Sequence, residues 1–155
     1  MRESLTARVH AAPGIVFARL IDIGRLAEWN HAITEVVEQT SQLTPGAVWK
    51  VRLHALGQSW VSKSTLVELD EVQRRFRYRS QTDDGNRSYA DWEWTVQPDG
   101  GAAQVAVAVD LHPLTFWRRY LLVHIRRPAL RNEMRASLAA LSEIVSAGNS
   151  QAAGE

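Results

Sequence analysis

PGIVFARLIDIGRLAEWNHAI, residues Pro13 to Ile33, lies between two runs that read as β-strands. Pro13 opens a helix at its first turn, where the missing N–H costs nothing. Ile15, Val16, Arg19, Leu20 and Ile23 follow at helical spacing, Gly24 stops them, and RLAEW adds a second short helical piece. Trp29 and Asn30 then stand at the junction with the β-branched run AITEVVEQT. A large aromatic beside a small polar residue is either a ligand contact or the mark of a turn. Asn suits a turn, because its side chain bonds nearby backbone. A mostly apolar ring is more often core than ligand contact.

Outward from this stretch the chain is ordered by period. Before it, SLTARVHAA alternates as a strand, with Leu5, Ala7 and Val9 on one side. After it, Pro45-Gly46 turns into a strand with Trp49, Val51 and Leu53 on one face and Lys50, Arg52 and His54 on the other. Gly57-Gln58 reads as the next hairpin. SWVSKSTLVEL is a further strand of unclear parity, with room for a bulge. Phe76 and Tyr78 alternate with Arg75, Arg77 and Arg79. Asp83-Asp84-Gly85-Asn86 is a hairpin signal. Trp92, Trp94 and Val96 then oppose Asp91, Glu93 and Thr95, and Pro98-Asp99-Gly100-Gly101 turns the chain into Val105, Val107, Val109 and Leu111. Past Pro113 the period becomes helical, from about Leu114 to Val145, with Leu130, Met134, Leu138, Leu141 and Val145 on one stripe. Pro128 predicts a break in that helix. The predicted class is α+β: a curved seven-stranded antiparallel sheet around a long C-terminal helix, with two short helices between strands 1 and 2. An apolar sheet face needs a cover, and the last helix is the only long amphipathic element available.

Bulk properties narrow the function. The 155 residues suit one domain, expected over 1–147, with 148–155 as a flexible tail. Eighteen basic and 17 acidic side chains leave a charge of +1, so no general electrostatic case for nucleic acid exists. Without cysteine, disulfides, thiolate catalysis and Cys-based metal sites are excluded. No signal-peptide core or membrane-length apolar run is present, and a cytoplasmic location is expected. Neither Gly-x-Gly-x-x-Gly, a P-loop nor a Gly-x-Ser-x-Gly elbow occurs, so no cofactor and no hydrolase triad is expected. His10, His31, His54, His112 and His124 show no metal-ligand spacing, and no metal is expected.

The order of these motifs resembles the START/birch-pollen-allergen superfamily (SRPBCC), and within it the polyketide cyclase/dehydrase-like branch. The resemblance rests on Pro13, the Val16-Phe17 pair, Asp22, Trp29-Asn30, the Trp92-x-Trp94 strand, the Gly-rich turn and the terminal helix, over the chain to Ala147. His31 departs from it, since a proline often follows the Trp-Asn pair there. The resemblance implies a helix-grip fold with a cavity between sheet and helix. The lining it suggests is Trp49, Val51, Phe76, Tyr78, Trp92 and Trp94 from the strands. Leu121, His124, Ile125, Met134 and Leu138 would face them from the helix. The same aromatics would equally make a dry core.

Two functions compete. One is binding of an apolar small molecule such as a polyketide, lipid or isoprenoid. The other is a polyketide aromatase/cyclase or dehydratase, with His112 or His124 as weak catalytic candidates. A cyclase needs an inward acid/base pair, and the inward positions read mostly Trp, Phe and Val. LTFWRRYLLVHIRR (Leu114 to Arg127) mixes aromatic and basic residues. It suits a gate over the cavity or, less well, a transient membrane contact or partner-docking surface.

Overall fold

The computed structural model describes residues 2–55, 57–85, 87–114 and 123–153, without the side chains of 123–127 and 148–153. The chain runs β1 (Arg2–Val9), α1 (Pro13–Leu20), a 3-10 helix (Ile23–Glu28), β2 (Ile33–Glu38), β3 (Val48–Ala55), β4 (Gln58–Asp70), β5 (Arg75–Thr82), β6 (Tyr89–Asp99), β7 (Ala102–His112) and α2 (Val123–Ala153). The strands form one antiparallel sheet in the order β1-β7-β6-β5-β4-β3-β2. This is the helix-grip architecture.

α1 has no side-chain N-cap and relies on Pro13 at its start. It buries Val16, Phe17 and Leu20. Arg19 and Arg25 both pair with Glu28, tying α1 to the 3-10 helix. Asn30 then makes the turn the sequence suggested: its Oδ1 accepts from the Ala32 amide at 3.1 Å. The His31 amide donates to Ser137 Oγ of α2 at 3.0 Å, so the turn is anchored to the long helix. Trp29 is 2% exposed and meets Trp94 edge-to-face, with ring centroids 5.5 Å apart.

Period-two alternation sorts each strand between two faces. The concave face carries Trp49 and Val51, Leu66, Phe76, Trp94 and Val96, and Val105, Val107 and Val109, all buried. In β4 a register shift between Leu66 and Glu68 lets Leu66 and Leu69 share that face despite their odd spacing. Gly100 and Gly101, at φ 54° and 89°, close β6 onto β7, a backbone that side chains with a Cβ resist. The convex face carries the arginines of β5: Arg77 pairs with Glu68 and Glu93, and Arg79 with Asp91. These pairs are largely exposed and add little stability.

α2 lays Leu130, Met134, Leu138, Leu141 and Val145 into the concave face, as the stripe predicted. Arg131 reaches Glu3 of β1 at 3.1 Å, and Glu3 is 4% exposed. Two expectations are corrected. The helix runs unbroken through Pro128, which withholds one backbone donor while the helix continues on either side of it. It also continues to Ala153, beyond the end expected for it at Val145.

Leu141→Ala removes a fully buried side chain at the centre of this packing and should cost about 2–5 kcal/mol. Leu114→Ala, at a site 61% exposed, should change stability by less than about 0.5 kcal/mol. Urea unfolding of the two variants beside the parent checks both.

Candidate functional site

Side-chain size falls along the concave face toward one end of the sheet. On β6 the inward series runs Trp94, Trp92, Ala90; on β5 it runs Phe76, Tyr78, Ser80; on β4 it runs Leu66, Ser64, Ser62. Strand register aligns these steps. Leu66 pairs with Tyr78 and Tyr78 with Trp92; one step on, Ser64 pairs with Ser80 and Ser80 with Ala90. On β4, β5 and β6 large side chains therefore end at one common level and small residues begin at the next, whereas on β3 Trp49 stands level with Ser64. A cavity of about 420 Å³ opens where they shrink.

Trp92 of its lining belongs to a run of ring contacts. Tyr78 stacks near-parallel to Trp92 at 6.2 Å and meets Trp49 and Phe76 at 5.3 and 5.1 Å. Its walls are Leu53 and Ala55 of β3, Trp60 and Ser62 of β4, Ser80 and Thr82 of β5, Ala90 and Trp92 of β6, Leu111 of β7 and Leu130 of α2. The rim carries Ser59, Gln81, Asp84, Ser88, Tyr89 and His112. Trp92 Nε1 donates to Ser80 Oγ at 3.1 Å, and Ser62 Oγ donates to the Gln81 carbonyl at 3.2 Å.

Of the residues expected to line a cavity, Trp92 does so directly. Trp49, Val51, Phe76, Trp94, Met134 and Leu138 are instead buried in the packed core, and partly buried Tyr78 packs against that core. Leu121 lies outside the described residues, as do the side chains of His124 and Ile125 and the aromatic-basic run 115–122 with its proposed gate or membrane contact. Trp60, Ser62, Ser80 and Leu53 enter the site without having been expected there. The signal for them was the spacing Trp60, Ser62, Ser64, Leu66, obscured because serines do not register in a hydrophobic pattern.

His112 pairs outward. Its Nε2 lies 3.4 Å from Asp110 Oδ2 and 3.7 Å from Asp91 Oδ2. Its ring stacks on Tyr89 at 4.5 Å, and Arg79 covers the Tyr89 ring at 3.9 Å. The titratable residues among the described lining are Asp84, Tyr89 and His112, all at the rim. Among the described residues no group of His, Asp and Glu has metal-binding geometry. Burial pushes the Tyr78 phenol up to about 12, and the Trp94 side chain pulls the other way by hydrogen bonding.

A family model described as polyketide cyclase / dehydrase and lipid transport matches residues 3–145. No curated protein matches by sequence. Among solved structures, TTHA0849 from Thermus thermophilus is 20% identical over 96% of this chain and 99% of its own, with a TM-score of 0.72. The Zhui aromatase/cyclase from Streptomyces sp. R1128 is 17% identical over 94% and 93%, with a TM-score of 0.76. Ginseng major latex-like protein 151 from Panax ginseng is 12% identical over 92% and 95%, with a TM-score of 0.69. At these identities the likeness is one of fold.

The Tyr78 phenol gives a pH prediction. Unfolded, it ionises near 10; folded, near 12. Between those values the unfolded chain loses its proton first, so stability present below pH 10 falls as pH rises toward 12. The loss is at most about 2.7 kcal/mol. Tyr78→Phe should flatten that part of the stability curve, measured by urea unfolding from pH 9 to 11.5. An unchanged slope would refute the assignment.

Proposed function

The chain belongs to the polyketide cyclase / dehydrase and lipid transport family, within the START/birch-pollen-allergen superfamily, and from that membership we propose that it binds a flat or chain-like, largely apolar small molecule reversibly and without turnover. The observation that carries this reading is the run of ring contacts ending at Trp92, which lines an open volume of about 420 Å³. Small-molecule pockets are of this size, mostly apolar with a few placed polar groups. Trp60 and Trp92 offer faces for a flat ligand, and Leu53, Leu111 and Leu130 offer aliphatic contact. Tyr78 stacks on Trp92 and carries it on the packed rings of Trp49 and Phe76.

The inward groups speak against turnover. A cyclase moves a proton, so it needs an acid or base within hydrogen-bond reach of the reacting carbon's substituents. Among the described residues the inner walls carry hydroxyls and rings, and His112 is engaged with Asp110 and Asp91 on the outer side. Proximity in the cavity would still favour closure of a folded chain, which makes the aromatase/cyclase reading the one to test against.

A thermal-shift screen over polyketide, isoprenoid and fatty-acid panels should give hits, because a ligand that binds only the folded state raises stability by mass action. The gain is about 2.7 kcal/mol at ~100 times the dissociation constant. Trp92→Ala should abolish most of that shift at a smaller cost in stability than Trp94→Ala, for which about 3–5 kcal/mol is expected. Tryptophan fluorescence should change with the hits in the parent and lose most of the change in Trp92→Ala. Conversion of a polyketide by the parent, lost in a folded His112→Ala variant, would replace the binding reading with the cyclase one.

A further inference from the structure

We propose that the ligand carries a hydroxyl or carbonyl oxygen, and that Ser80 and Ser62 are the residues that select it. The inference rests on the binding reading above and deepens it. A cavity meant for a hydrocarbon would be finished with Val, Leu or Ala at the level where the rings end. Here β5 presents Ser80 at that level, and β4 and β5 present Ser62 and Thr82 one step further on.

The hydroxyl bonds leave a defined remainder. The Trp92 indole can only donate, so Ser80 Oγ accepts from it and keeps its own proton for a further acceptor. Ser62 spends its proton on the Gln81 carbonyl and keeps oxygen lone pairs. Thr82 is directed elsewhere, to Asp84 Oδ1 at 2.7 Å. Ser62 pairs with Thr82 in the strand register, which puts Ser80 on its diagonal, within reach of one intervening group. One free donor and one free acceptor, both on the cavity wall, match a ligand hydroxyl, which both accepts and donates. Ser80 alone matches a carbonyl. Ser62 is 3% exposed, so it offers the cavity only a small contact, and partly buried Ser80 is the more open of the two. Sites of this kind discriminate against an analogue without the polar partner more strongly than apolar walls discriminate by size. The Trp92 bond also holds Ser80 in place, so one ring serves as both ligand platform and orienting group.

The test compares 2-naphthol with 2-methylnaphthalene, in which a methyl replaces the hydroxyl at nearly constant shape. A purely apolar cavity would prefer the methyl compound. By calorimetry the parent should bind 2-naphthol about three- to tenfold more tightly than 2-methylnaphthalene, the effect of one neutral hydrogen bond. Ser80→Ala should bring the two within about twofold by weakening 2-naphthol alone. Ser62→Ala leaves the Trp92 bond intact and should reduce the preference in the same direction, which supplies the readout if Ser80→Ala fails to fold. Equal binding of both probes by the parent, or equal weakening of both by the variants, overturns the inference and leaves the binding reading standing. If neither probe binds, the binding reading falls for aromatic ligands, and this inference falls with it.

Discussion

The concave face of the sheet presents Trp94, Phe76, Leu66, Trp49 and three valines of β7 as one continuous surface. Left bare, it would exceed the apolar patch that folded monomers tolerate. α2 is the element that covers it, and the rest of the architecture follows from that need. The sheet curves so that both ends can reach the helix. β1 is held to α2 through Glu3 and Arg131, and the turn before β2 is held to it through the His31 amide and Ser137. Trp29 fills the space between the first two helices and Trp94. The Trp-Asn pair is thus a structural joint: one residue packs the short helices onto the core, and the other bends the chain into β2.

Where the cover and the sheet fit closely there is core, and where the sheet's side chains shrink there is space. The two conditions occupy different levels of the same strands. This explains how an aromatic-rich inner face is both densely packed and open. Phe76 and Trp94 lie below the boundary, Tyr78 and Trp92 form it, and Ser80 and Ala90 lie above it, while on β3 Trp49 stands level with Ser64 and packs its ring against Phe76 and Tyr78. The charged convex face takes no part in this division. Its arginines meet carboxylates on neighbouring strands, so the outer side is balanced ion by ion.

Strand faces were legible in the sequence wherever apolar residues alternate without interruption, as in Trp92-Trp94-Val96 or Val105 to Leu111. The stripe Leu130 to Val145 announced the covering helix equally well. Less could be read where chemistry and period separate. In β4, serines at inward positions hide the alternation and the shift after Leu66 breaks it, so Trp60 and Ser62 could not be assigned a side. The cavity itself depends on which residue of one strand stands level with which residue of the next. That is a property of register across β4, β5, β6 and β7, and no single strand's pattern contains it. Pro128 misled for a local reason. A proline withholds only its own backbone donor, and the helix carries on past it.

The stepwise arrangement of the inner face has a consequence for how such a protein diversifies. Inward positions on a strand recur every second residue, roughly 6.8 Å apart. The boundary between rings and small residues is shared by three neighbouring strands, so depth changes in whole rungs and not continuously. Trimming Tyr78 and Trp92 together would lower the bottom by one rung, and enlarging Ser80 and Ala90 would raise it by one, with the helix, the turns and the outer ion pairs untouched. Cavity depth is in this sense a counted quantity, set by how many rungs of the ladder are left bare, and a lineage carrying this scaffold can change it by editing two or three adjacent positions.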